Sequence, residues 1–300
     1  MIKDKKVSVI NVPFGLGANR PGTEQGPESL SQVGLKRHLD RLGLEVKNDY
    51  SVICPSKEYP AVSSGIRHLA EIKEMIGLVA ERVSQSILEQ TFPLVIGGDH
   101  SVTLGALAGI SPHYTNLGVI WFDAHVNLHT KETNPTSSIS RMTLAIALGK
   151  SKFELSDIPE TDSFMKSKNT VLIGTRELDA NEKELIQSEG ITCFSMHDID
   201  RMGIQQVIEK ALQIAGNGTD GIHLSFDVDS LDPFEAPGVS TQVLGGLTYR
   251  EAHFALELLA ESERITSMDI VEINSLLDIE RRTARLAVGL ISSLLGKRII

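Results

Sequence analysis

Three hundred residues with 41% hydrophobic and 23% charged side chains can bury a substantial core without disulfides or structural zinc, which excludes disordered and fibrous classes. Lys plus Arg number 29 against 39 for Asp plus Glu, a formal charge of −10 at pH 7. No block of like charge forms a tail, so no nucleic-acid or anionic-membrane partner is expected. No run approaches the roughly 18 apolar residues of a bilayer crossing, and the polar start Met1 to Lys6 lacks a leader-like apolar stretch, so a cytoplasmic protein is expected. Cys54 and Cys193 stand far apart and outside any CxxC spacing, which fits a reducing compartment and rules out a cysteine zinc site.

Along the chain, a β-branched apolar run at 7–12 predicts a strand, and helical periodicity follows at 27–41 and 65–90. A strand at 93–96 leads to a helix at 101–110, and a strand at 117–122 runs into an irregular stretch at 128–140, rich in Ser and Thr, before a helix at 141–148. Strands at 170–173, 191–194, 222–226 and 265–273 then alternate with helices at 181–188, 205–215, 249–259 and 280–295. The strands are nearly continuous apolar runs, the mark of a parallel sheet with helices on both faces, in the α/β class. No linker or repeat divides the series, so residues 1–300 are expected to form one domain.

Open parallel sheets bind ligands just past the carboxyl ends of their strands. There the sequence concentrates its chemistry: Gly97-Gly98-Asp99-His100-Ser101, Asp123-Ala124-His125-Val126-Asn127, Asp227-Val228-Asp229 and Glu272-Ile273-Asn274. In Asp123-x-His125 and Asp227-x-Asp229 the spacing of two puts both members on one side of an extended chain. Each piece alone has a plain structural reading, Asp123 as the cap of a turn or His100 as a satisfied core imidazole. Together, imidazole and carboxylate without thiolate suit Mn²⁺, and less specifically Zn²⁺ or Fe²⁺. Four carboxylates with two histidines suggest two ions sharing bridging carboxylates, with an activated hydroxide between them. Gly15-Leu16-Gly17-Ala18-Asn19-Arg20 lacks the third glycine of a dinucleotide site. His223, His113, His197, His38, His68 and His253 read as structural, and Arg281, Arg282 and Arg285 as a solvated or subunit-contact face.

These motifs, together with Gly17-x-x-Arg20-x-Gly22-x-x-x-Gly26-Pro27 and Gly245-Gly246-Leu247-Thr248-Tyr249-Arg250-Glu251, resemble the arginase family of manganese ureohydrolases over the whole chain, and most closely its bacterial members. The resemblance implies a three-layer α/β/α fold around an eight-stranded parallel sheet, a homotrimer or homohexamer, and hydrolysis of a guanidinium group, in L-arginine giving urea and L-ornithine. It implies one Mn²⁺ on His100, Asp123, Asp227 and the position of Asn127, and a second on Asp123, His125, Asp227 and Asp229. Asp123, Asp227 and Glu272 become the catalytic carboxylates, Glu272 pairing with the guanidinium. Asp179 and Glu182 match positions that meet the substrate's α-amino group, Thr241 a supporting hydroxyl, and His129, Thr136 and Ser138 the loop at its far end.

The departures from the family fall in the same places. Asn127 stands where the family has a third aspartate, which removes an anionic ligand and weakens the first site. Ser140 replaces a proton-shuttling histidine and cannot titrate near neutral pH. His129 replaces an asparagine, and Arg141 puts a cation near the entrance. A different guanidino substrate, or a non-catalytic protein with one metal or none, therefore stands beside arginine hydrolysis.

Overall fold

The computed structural model describes residues 6–56, 66–151 and 164–298; the first position of the helix expected at 65–90 lies outside them. Strand β1 (Lys6–Asn11) is followed by α1 (Gly26–Gln32) and α2 (Leu35–Arg41). The sequence pattern reads as one helix here, but Gly34 adopts φ +90°, a left-handed conformation that ends the first and starts the second. Next comes β2 (Glu45–Ser51), which the apolar-run criterion misses. It is polar, alternately exposed and paired only with β1, as an edge strand should be.

The remaining elements follow the predicted order. They are α3 (Leu69–Leu88), β3 (Phe92–Ile96), α4 (Val102–Ile110), β4 (Leu117–Phe122), α5 (Thr143–Ala147) and β5 (Thr170–Thr175). Then come α6 (Ala180–Glu189), β6 (Thr192–Ser195), α7 (Met196–Met202), α8 (Ile204–Ala215), β7 (Gly221–Asp227), α9 (Tyr249–Glu261), β8 (Ile265–Val271) and α10 (Arg282–Leu294). Helix α7 has no clear sequence signature, because seven residues give too little periodicity. What starts it is a capping box in which Ser195 and Asp198 exchange side-chain and backbone hydrogen bonds.

All eight strands are parallel and lie in the order β2-β1-β3-β8-β7-β4-β5-β6. Alternate strand residues enter opposite cores. Ile120, Phe122, Ile222, Leu224 and Phe226 pack with α1, α2 and α7 to α10, whereas Val95, Val119 and Trp121 pack with α3, α4 and α5. The result is the three-layer α/β/α arrangement. Among the described residues no helix is long and apolar enough to cross a membrane.

The central strands carry a buried polar row that breaks the apolar pattern. Trp121 on β4, Ser225 on β7 and Asp269 on β8 stand side by side in register. At the carboxyl end of β3, Gly98 lets the Phe14 backbone cross in contact; a Cβ there would come within 1.6 Å of the Phe14 carbonyl oxygen. This crossing seats the 14–22 loop over the strand ends.

Candidate metal centre

Because β3, β8, β7 and β4 are consecutive in space, the four motif-bearing strand ends converge. His100 Nδ1 lies 2.9 Å from Asp227 Oδ2 and 3.3 Å from Asp123 Oδ2. His125 Nδ1 lies 2.9 Å from Asp229 Oδ2 and 3.4 Å from Asp123 Oδ1. Two clusters result, His100–Asp123–Asp227 and Asp123–His125–Asp229, each with donor atoms within 4.8 Å of one another. Asp123 contributes one oxygen to each. Asp227 joins the first of these clusters, and its other oxygen accepts the Asp229 N–H at 2.8 Å.

Asn127 sits inside the first cluster. Its amide nitrogen donates to Asp123 Oδ2 at 2.6 Å and stands 3.2 Å from His100 Nδ1. Its backbone is left-handed, with φ +52°, which Asn tolerates better than most residues. Glu272 also has a left-handed backbone, φ +66°, and its Oε1 accepts the His100 N–H at 2.8 Å. That conformation turns the chain out of β8 and brings the carboxylate beside the cluster.

Residues outside the expected ligand set hold these groups. The Trp121 ring stacks on His100 with centroids 4.5 Å apart, and its Nε1–H donates to Asp123 Oδ2 at 3.1 Å. Behind His100, Ser225 Oγ donates to Asp269 Oδ1, whose second oxygen is 2.8 Å from His223 Nε2. His223 is thus a buried strut two residues removed from the cluster, in keeping with its structural reading. Arg176 sends hydrogen bonds to the carbonyls of Gly174, Asp229, Ser230, Leu231 and Val243. A lone arginine after a strand carries no sequence signal for that task.

The electrostatics fit a cation. Burial, and then the negative charges of Asp229, Asp123 and Glu272, push Asp227 well above the usual carboxylate range. Burial and Asp229 raise Asp123, and burial and Asp99 raise Glu272. Burial opposes a charge on His125, yet the Asp229 carboxylate and the hydrogen bonds to Asp123 and Asp229 outweigh it and push the imidazole up to about 11. Asp229 falls to about 2, burial being outweighed by His125. His125 Nε2 is buried without a hydrogen-bond partner. Buried carboxylate and imidazole donors held this close, with protons standing in for positive charge, suit a divalent metal ion.

A pH dependence follows for protein kept in chelator. His125 is raised above its unfolded value of 6.5, so the stability it contributes is complete below pH 6.5 and is lost as pH climbs towards 11. The raised carboxylates act in the same direction, because folding favours their protonated forms. The thermal midpoint is expected to fall between pH 6.5 and 10, and loading with a divalent ion to reduce that fall. Scanning calorimetry at several pH values checks this, and a midpoint that rises over the range contradicts it.

The two clusters form the floor of a cavity of about 670 Å³. His100, His125, Asn127, Asp227, Asp229 and Glu272 line it, with Thr241, Ser140 and Arg141 on its walls. The remaining expected substrate contacts lie elsewhere. Ser138 is buried with its hydroxyl on the Gly17 carbonyl, and Thr136 bonds Asn134. His129, Asp179 and Glu182 line an adjoining cleft of about 220 Å³. Local hydrogen bonding holds Thr136 and Ser138 away from the main cavity, whereas the cleft of His129, Asp179 and Glu182 shares His125, Asn127 and Arg141 with it.

Residues 5–296 match the Arginase family. Over 298 residues the chain is 42% identical to an arginase from Bacillus caldovelox, covering 99% of this chain and all of that one. It is likewise 42% identical to an arginase from Staphylococcus aureus strain MRSA252 over the full length of both. The crystal structure of the Bacillus caldovelox arginase superposes with a TM-score of 0.95 at 41% identity, covering 99% of this chain and 100% of that one. With its eight-stranded parallel sheet and paired histidine–carboxylate clusters, this chain belongs to the arginase family.

Proposed function

We propose that this chain hydrolyses the guanidinium group of L-arginine to urea and L-ornithine with Mn²⁺, at a centre weakened on its Asn127 side. The observation that carries this reading is the pair of clusters sharing Asp123 beneath a cavity that also holds Glu272. His100, Asp123 and Asp227 would hold one ion, and Asp123, His125 and Asp229 the other. When bound, the ions lower the pKa of water and so supply a nucleophile near neutral pH.

The protein's own groups bind and orient. The Glu272 carboxylate has one oxygen on the His100 N–H and pairs with the guanidinium through a charge-assisted contact. Asp227 and Asp229 help to form the cavity floor, against which the walls orient the guanidinium carbon. Thr241 and Ser140 line the walls. Ser140 shares its hydrogen with Ser138 at 2.9 Å and has no means of shuttling a proton at neutral pH. The same reading takes the assembly as a homotrimer or homohexamer in the cytoplasm, with residues 1–300 as one domain.

A second reading, a member of the family without turnover, is favoured by the Asn127 amide occupying the interior of the first cluster. Urea release from L-arginine by protein loaded with excess Mn²⁺ separates the two. Turnover of order 1 s⁻¹ or more supports hydrolysis, and no urea above a metal-free control removes it. In the same samples Mn²⁺ is expected to raise the melting temperature by linkage, and no shift at millimolar metal counts against both clusters.

A further inference from the structure

Behind His100, the polar residues of β7 and β8 form a chain in which each hydrogen can be placed from the donors and acceptors available. Ser225 stands opposite Asp269 across these two strands, and His223 opposite Ser267. All four side chains are at most 1% exposed, so each donor needs an acceptor within the protein. Asp269 Oδ1 is 2.9 Å from Ser225 Oγ, and Asp269 Oδ2 is 2.8 Å from His223 Nε2. An ionised carboxylate accepts and never donates, so it takes the Ser225 hydroxyl hydrogen.

That assignment fixes the next one. With its single hydrogen on Asp269, Ser225 Oγ has only lone pairs to offer its other neighbours, His100 Nε2 and Thr103 Oγ1, each at 3.4 Å. The His100 nitrogen that faces Ser225 is therefore the one that carries hydrogen. The opposite nitrogen, Nδ1, faces Asp227 and Asp123 and lies 3.2 Å from the Asn127 amide donor. Stacking on the Trp121 ring, with centroids 4.5 Å apart, keeps the imidazole from turning over. A neutral imidazole offers a lone pair to a metal ion on one nitrogen only when its hydrogen is held on the other. His223, whose Nδ1 meets Ser267 Oγ at 2.9 Å, occupies the second oxygen of Asp269 and keeps the first turned to Ser225.

We infer that Asp269 is a positioning residue of the metal centre: through Ser225 it holds the His100 hydrogen on Nε2 and so presents the Nδ1 lone pair to the His100–Asp123–Asp227 cluster. Without the carboxylate, the Ser225 hydrogen turns to His100 Nε2, which must then accept it. The imidazole hydrogen moves to Nδ1, and the cluster loses a ligand. The inference rests on the metal-binding part of the proposed function and is independent of turnover, so it stands for a member of the family that binds metal without releasing urea.

The test uses Zn²⁺ as a diamagnetic probe and protein labelled with ¹⁵N at histidine. In the zinc-loaded parent, long-range ¹H–¹⁵N spectra are expected to show His100 with its hydrogen on Nε2 and zinc on Nδ1, the signals being assigned by their loss in His100→Asn. Zinc titrations are expected to show that Asp269→Leu and Ser225→Ala each weaken, by roughly tenfold or more, the equivalent that His100→Asn removes. The equivalent that His125→Asn removes stays unchanged, and the double variant binds no more weakly than the poorer single variant, because Asp269 acts through Ser225. A His100 hydrogen on Nδ1 in the zinc-loaded parent, which needs no variant to fold, overturns the inference. So do unaltered affinity in both single variants and losses that add in the double variant. Zinc bound at neither cluster of the parent overturns the metal-centre reading itself.

Discussion

Asn127→Asp is expected to shift stability in opposite directions with and without metal. In chelator, the substitution replaces an N–H donor 2.6 Å from Asp123 Oδ2 with a second carboxylate, losing a buried hydrogen bond and adding like charge. A cost of about 1–3 kcal/mol follows, read as a fall of several degrees in the melting temperature. In excess Mn²⁺ the same carboxylate becomes an anionic ligand to the His100–Asp123–Asp227 cluster, and affinity there rises by roughly tenfold to a hundredfold. The variant should then melt above the parent. Coupled with Ser140→His, which supplies a titrating group on the cavity wall, urea release is expected to rise at least ~10²-fold. A variant that melts below the parent in both conditions would show that the first cluster takes no metal.

Arg176→Met is expected to cost about 3–5 kcal/mol and to loosen the second cluster without touching a ligand. The guanidinium ties carbonyls from Gly174, from the 229–231 turn and from Val243. Each bond contributes on the order of 1 kcal/mol, and several of these carbonyls would be left without a donor. Asp229 is carried by that turn, so its aim at His125 Nδ1 depends on Arg176. Urea denaturation measures the loss, and a Mn²⁺ titration should show weaker binding at the His125 side. Unchanged metal affinity in a destabilised Arg176→Met would confine Arg176 to a purely structural role.

Much of this molecule was legible from residue order, and the failures share a physical cause. Strands with both faces buried, such as 117–122, announce themselves as apolar runs, and the polar residues at their carboxyl ends mark where a ligand would lie. Edge strand β2 has one side in solvent and reads as a polar loop. Gly34 divides a helix that periodicity alone would continue, since the pattern of α1 and α2 stays in phase across it. At the centre, spacing puts Asp123 with His125 and Asp227 with Asp229. Short turns orient the carboxylates locally, Asp227 accepting the Asp229 N–H and Asp123 the His125 N–H. What no local pattern encodes is which distant groups they meet, His100 against Asp227 and the Ala124 N–H against Asp229. The same limit applies to Ser138, whose partner Gly17 holds it out of the main cavity.

The strand order carries a consequence for how the molecule is made. Strand β8, the last in the chain, lies between β3 and β7, so until it arrives the sheet exists as two separate pieces. One piece bears His100 and the other Asp123, His125, Asp227 and Asp229. Inserting a central strand late requires contacts of long sequence separation, which slows folding. Before that step His100 has no rigid neighbour to share an ion with, and Glu272 is absent from its backbone. Capture of metal at the His100 cluster is therefore a timer for completion: in a refolding experiment it should appear with the final phase, after most of the helical signal has returned.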